Sequence, residues 1–166
     1  MKILIADDDA MSRQLLSGLV TEWGHEPVTA ENGEEAWQIL TEQKLQFIIV
    51  DWMMPRLTGV NLCERIRASE LDQYIYIILL TSRKDADEIV TGLNAGADDY
   101  VTKPFDAREL EVRLNVGIRV LDLERRLEER ARQAEEQLQQ INKLESLIPI
   151  CCECRQVRDD KNYWHK

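Results

Sequence analysis

Short apolar runs that alternate with stretches of helical periodicity constrain this chain more than any other feature. They mark strands at residues 3–6 (ILIA), 47–50 (FIIV) and 75–80, with a weaker strand at 27–30 (PVTA) and a fifth, shorter one at 98–101. Between them, Met11, Leu15, Leu16, Leu19 and Val20 recur at helical spacing over 11–23. Ala36, Ile39 and Leu40 do so over 34–42, and Val60, Leu62, Cys63 and Ile66 over 59–68. Ile89, Val90 and Leu93 mark a helix over 84–94, and a fifth helix begins near Asp106. Asp9 is placed to cap the first helix, Gly24 to stop it, and Asn32-Gly33 to turn into the second. Five strands that alternate with five helices predict a parallel sheet covered on both faces. In such α/β sheets ligands sit beyond the carboxyl ends of the strands, near the switch in strand order. The residues just past strand ends are Asp7, Asp8, Asp51, Thr81 and Lys103.

Composition narrows the function classes. The chain has 166 residues, 44% of them hydrophobic, enough for one domain and an appendage. Its net charge of −10 argues against a nucleic-acid surface of the usual basic kind. Residues 1–120 hold 21 acidic against 12 basic residues, and 121–166 hold 10 against 9, so the acidity belongs to the first part. The apolar run after Met1-Lys2 is too short for a signal peptide, and no stretch is long and apolar enough to span a membrane. A cytoplasmic chain is expected, and four cysteines with Cys63 apart from Cys151, Cys152 and Cys154 do not form a disulfide framework.

If the first and third strands are neighbours, the carboxylates of Asp7, Asp8 and Asp51 converge. Each close pair then costs roughly 4 kcal/mol of repulsion at an effective dielectric near 20. A cation is required, and all-oxygen donors favour Mg²⁺, or Mn²⁺, over zinc. Lys103 brings a fixed positive charge and Thr81 a hydroxyl donor. Phosphoryl transfer needs neutralisation and alignment above all, which this set supplies around an aspartate nucleophile. Singly, Asp7 to Asp9 read as turn and capping residues, Thr81 as a strand end and Lys103 as a surface lysine; the force lies in the combination.

Residues 3–9 (ILIADDD), 47–55 (FIIVDWMMP), 79–82 (LLTS) and 95–105 (AGADDYVTKPF) resemble the receiver domain of two-component response regulators over about 1–120. The resemblance implies a doubly wound, flavodoxin-like α/β fold with five parallel strands in the order 2-1-3-4-5. It implies Asp51 as the phosphoacceptor, charged by a histidine kinase or a phosphotransfer protein. Mg²⁺ would then be held by Asp8, Asp51, the backbone carbonyl of Met53 and, through water, Asp7. Thr81 and its small neighbour Ser82, with Lys103, would bind the phosphoryl group, and Tyr100 would be the aromatic that swings with Thr81. Lys103-Pro104 resembles the family's cis peptide. Met53 and Arg83 occupy the positions that tune phosphoryl lifetime, and an apolar Met53 beside a long Arg83 implies slow self-dephosphorylation.

The last helix has no linker behind it. Residues 107–148 contain no proline and one glycine, Gly117, which predicts a helix of roughly 60 Å continuous with the receiver. Val116, Val120, Leu123, Leu127, Ala131, Ala134, Leu138, Ile141, Glu145 and Ile148 follow steps of 3 and 4. This is a heptad seam with one stutter at Leu127, weakened by its alanines and Glu145, and it predicts a parallel coiled-coil homodimer rather than a solvated single helix. Pro149 ends it. In the tail 149–166, Cys151 and Cys154 have the C-x-x-C spacing that supplies half a zinc site, to be completed by a second copy or by His165. A redox pair and a cluster of free thiols are the other readings. Residues 147–164 resemble a short cysteine motif of bacterial signalling proteins whose second C-x-x-C is missing here.

Two other functions fit parts of this pattern. A metal-dependent phosphatase with an Asp nucleophile needs a carboxylate two residues after Asp51, where Met53 stands. A receiver-like dimerising scaffold without phosphorylation does not need the intact set of Asp7, Asp8, Asp51, Thr81 and Lys103. The output partner, or a missing effector domain, is not written in these residues.

Overall fold

The structure is a computed structural model. It describes residues 1–69, 71, 73–82, 86–146, 157–158 and 164–165, with the side chains of 86–89, 144–146 and the last four left out. Two compact units emerge, Met1–Glu124 and Arg125–Lys166.

In the first unit β1 (Lys2–Ala6), β2 (Glu26–Ala30), β3 (Phe47–Asp51), β4 (Tyr76–Thr81) and β5 (Asp99–Thr102) form one sheet. The order is β2-β1-β3-β4-β5 and every pairing is parallel. This is the flavodoxin-like order expected from the sequence. Strands β3 and β4 are buried along their whole length. Alternate residues face opposite layers, as the two-residue period of a strand requires. Leu4, Ala6, Ile48, Val50, Ile77 and Leu79 pack under α2 (Gly33–Gln43) and α3 (Gly59–Ala68). Ile3, Ile5, Ile49, Ile78 and Leu80 pack under α1 (Ala10–Glu22) and the first part of α5 (Ala107–Ser146).

Local signals set the helix starts. The Asp9 carboxylate accepts the Ser12 N–H at 2.9 Å, the Asn32 side chain accepts the Glu35 N–H at 3.0 Å, and Thr58 Oγ1 accepts the Asn61 N–H at 3.3 Å. Gly24, at φ +81°, lets the chain leave α1 in the left-handed region.

Two of the apolar stripes are only partly buried, and that of α4, expected to face inward, is corrected. On α1 only Leu16 and Val20 are buried, while Met11 is 79% and Leu15 57% exposed. On α4 (Ala86–Asn94) Val90 and Leu93 are exposed and Gly92 is buried instead. The reason is close approach. A Cβ at residue 92 would lie 2.7 Å from Leu79 Cδ2 and 2.9 Å from Trp52 Cζ3, so the helix seats Gly92 and leaves Val90 and Leu93 exposed.

Along α5 the first unit buries Leu110, Leu114, Gly117 and Leu121. A Cβ on Gly117 would fall 2.5 Å from the Tyr76 ring and 2.6 Å from the Phe47 ring, so glycine is what lets the helix settle on that aromatic pair. In the second unit every residue of α5 over 125–143 is exposed. A short antiparallel pair, β6 (Val157–Arg158) and β7 (Trp164–His165), follows; nothing in the sequence pattern announced it. No described helix is long and apolar enough to cross a membrane.

Candidate functional site

The buried polar or charged side chains among the described residues are Asp7, Asp51 and Thr81, at 1%, 8% and 2% exposure. Burying such groups is costly unless partners meet them, so their gathering at one sheet edge is informative. The topology explains it. Strands β1 and β3 are neighbours, with Ala6 beside Val50, and β3 lies beside β4, with Asp51 opposite Leu80. Asp7, Asp51 and Thr81 therefore leave three adjacent strands at the same edge, where the winding reverses between β1 and β3.

Lys103 closes the cluster from the far end of β5. Its Nζ lies 2.7 Å from Asp7 Oδ2 and 2.5 Å from Asp51 Oδ1. The lysine backbone is itself anchored, donating its N–H to the Thr81 carbonyl at 2.6 Å, and the Lys103-Pro104 peptide is cis. The remaining carboxylate oxygens are also used. Asp7 Oδ1 accepts the Asp9 N–H and Asp51 Oδ2 the Met53 N–H, both at 2.9 Å. Burial pushes the Asp51 carboxyl above the usual carboxylate range; Lys103 pulls it down and Asp7 pushes it further up. Burial opposes the charge on Lys103, but the hydrogen bonds and charges of Asp51 and Asp7 outweigh it and raise the lysine.

Other expected residues border this core. Asp8, Met53 and Ser82 are exposed around it, Met53 at 55%. Tyr100 is half-buried on β5, with the Arg113 guanidinium 5.8 Å from its ring centre. Arg83 and the tail's Cys151, Cys152 and Cys154 lie outside the described residues, as does the His165 side chain.

Three features were not legible beforehand. Arg13 donates from Nη1 to the carbonyls of Asp7 at 2.8 Å and Asp8 at 3.0 Å, and from Nη2 to Glu31 Oε1 at 2.9 Å. It thereby fixes the loop that carries the acid pair and ties it to the loop after β2. Its only sequence signal is a position one turn into α1. Gly59 is the second: a Cβ there would stand 2.2 Å from the Asp51 carbonyl, so α3 starts directly against the strand end. The third is a clamp behind the site. Arg67 donates to the carbonyls of Gly96 and Ile75, both at 2.8 Å, and pairs with Asp98 at 2.7 Å; Tyr74 donates to the same carboxylate.

The donor set fits a hard divalent cation. Among the described residues no three ligating side chains close around one point. Magnesium does not need such a cage, since it keeps several waters and takes one or two carboxylates. Asp8 and Asp51, with the Met53 carbonyl, are the groups that would hold it. Two of the three nearby carboxylates have only one lysine to balance them, which leaves negative charge for a cation to neutralise.

Comparison with known proteins agrees with this geometry. Residues 3–115 match the family described as the response regulator receiver domain. The phosphate regulon transcriptional regulatory protein PhoB of Pseudomonas aeruginosa is 40% identical over 117 residues, covering 70% of this chain and 51% of that protein. The transcriptional regulatory protein AfsQ1 of Streptomyces coelicolor is 42% identical over 117 residues, 70% of this chain and 50% of that protein. The chain thus spans about half the length of these relatives. Among solved structures, the chemotaxis response regulator CheY4 of Vibrio cholerae superposes with a TM-score of 0.62 at 30% identity, covering 70% of this chain and 97% of that one. A response regulator receiver domain from Clostridium thermocellum gives 0.67 at 30% identity, covering 74% and 97%. With its sheet order, its buried Asp7 and Asp51 and its match over 3–115, the chain belongs to the response regulator receiver domain family.

Proposed function

We propose that Asp51 accepts a phosphoryl group from a phosphohistidine on a kinase or phosphotransfer protein. The observation that carries this reading is the burial of Asp7, Asp51 and Thr81 around Lys103 at one sheet edge. In the step an Asp51 carboxylate oxygen forms the O–P bond as the donor's N–P bond breaks. The imidazole nitrogen keeps the bonding pair and takes up a proton. Lys103 releases its short contact with Asp51 to meet a phosphoryl oxygen, and the Thr81 hydroxyl donates to another. Bound Mg²⁺ supplies neutralisation of charge on the acceptor and the transferring group. Arg13 keeps the Asp7–Asp8 backbone in place throughout. The donor docks on the exposed apolar stripe of α1, Met11 and Leu15, which begins beside the acid pair.

The chain then works as a switch rather than as a turnover enzyme. Tyr100 and Thr81 rearrange, and the tail, a homodimerising helix, carries the change to a partner or to a further domain. We read the organisation as a receiver over 1–120, a helix over 107–148 and a cysteine tail over 149–166, in the cytoplasm. Met53 offers no polar group to orient water, so the phosphoryl group is lost over hours. For Cys151 and Cys154 the spacing alone supports a zinc or redox role.

The test is labelling with a small phosphodonor and Mg²⁺. One acid-stable, base-labile phosphoryl group is expected, absent in Asp51→Asn and slow in Lys103→Ala. Labelling that survives Asp51→Asn would move the acceptor elsewhere. No labelling of the wild-type chain at all would favour the unphosphorylated scaffold.

A further inference from the structure

Over residues 125–143 of α5, Leu127 is 64% exposed, Leu138 59% and Ile141 51%, and no residue of that stretch is buried. With Ala131 and Ala134 these positions advance by 4, 3, 4 and 3, which keeps them on one narrow side of the helix. A lone helix in water gains little from such a stripe, because isolated helices are marginal and draw their stability from a packed face. We propose that this seam pairs with a second copy of the chain as a parallel, in-register two-stranded coil whose alignment is set by Arg130 and Glu135. The inference rests on the parallel homodimer read above and adds its register, the residue pair that sets it, and its strength.

Charge decides the direction. With Ala131 and Leu138 in the first seam position of successive heptads, Arg130 and Glu135 flank the seam on opposite sides. In a parallel in-register pair each residue on the flank of Arg130 meets the one five positions later on the partner chain. Arg130 of each copy then faces Glu135 of the other, giving two opposite-charge contacts per dimer. The next such pair joins Gln137 to Asn142, which carry no charge. Among the described residues neither Arg130 nor Glu135 forms an ion pair within its own chain, whereas Arg132 and Glu136 pair along the helix at 3.8 Å. An antiparallel pair brings like flanks together. Glu128 and Glu135 occupy the same flank, so that arrangement sets acid against acid wherever these layers cross.

Packing decides the strength. Ala131 and Ala134 fill two consecutive layers with single methyl groups, which bury far less apolar surface than leucine layers. The coil is therefore weak: it dissociates on dilution and is readily tipped by whatever happens in the receiver.

The experiment is sedimentation of the full chain over a wide concentration range, with helicity followed by circular dichroism. The wild-type chain is expected to shift from monomer to dimer with concentration. Arg130→Glu and Glu135→Arg should each weaken dimerisation at least fivefold, and the double variant should restore it. Ala134→Leu should tighten it at least tenfold. All three substituted positions are on an exposed face, so the fold and the Asp51 labelling serve as internal controls. A dimer that the charge swap does not restore overturns the parallel register and leaves the homodimer standing. Monomers at every concentration, Ala134→Leu included, overturn both, while Asp51 labelling continues to report on the receiver separately.

Discussion

The two parts of α5 share one run of backbone and differ in what holds them. Over 107–124 the helix buries Leu110, Leu114, Gly117 and Leu121 against the sheet and tolerates a glycine because the contact there demands one. Over 125–143 it buries nothing and is stocked instead with alanine, glutamate, glutamine and arginine, good helix formers that draw on propensity and on pairs such as Arg132–Glu136. Helical periodicity is equally visible in both. What the difference teaches is that one helix can be a wall of a core at its start and an exposed face at its end.

Truncation separates the two parts most sharply. Leu114→Ala should cost about 2–5 kcal/mol of receiver stability in urea unfolding, since a fully buried leucine leaves a cavity. Leu127→Ala should change that stability by no more than about 0.5 kcal/mol, as exposed positions do, while lowering the dimer fraction. Equal losses from the two would erase the distinction. A smaller contrast comes from exchanging glycine and alanine. Gly117→Ala should destabilise the receiver by about 1–3 kcal/mol through collision with the Tyr76 and Phe47 rings, despite alanine's better propensity. Ala131→Gly should cost about 1 kcal/mol, confined to the tail and read as faster amide exchange there.

Alkaline pH provides the mildest contrast. Burial, then the bond to Asp98 and its charge, push the Tyr74 phenol up to about 12. The folded state thus favours the neutral phenol. Its contribution is complete below the ordinary value near 10 and is lost as pH rises towards 12. Receiver stability should fall across that window and Tyr74→Phe should flatten the fall, while tail helicity shows no matching step from this residue.

Much of the receiver was legible because β1, β3 and β4 are apolar runs with no competing pattern. The strand-end residues Asp7, Asp51, Thr81 and Lys103 were legible for the same reason: once the strands are placed, their ends are placed. The faces of α1 and α4 were not. Periodicity places Met11 and Leu15, or Val90 and Leu93, on one stripe, but which side of that stripe meets the sheet depends on how near the helix can come. For α4 the answer was written in a glycine. Arg13 and Arg67 escaped because their partners are mostly backbone carbonyls, and carbonyls leave no mark on a sequence.

Gly92 has a mechanical consequence. Where Gly92 of α4 meets the ring of Trp52, the residue next to Asp51, no side chain of residue 92 acts as a spacer. A spacer could take up a small displacement by turning about its own bonds; bare backbone cannot. Any shift of that ring must be passed to the helix as a whole, so the coupling has no slack, and its stiffness is set by the absence of a single methyl group.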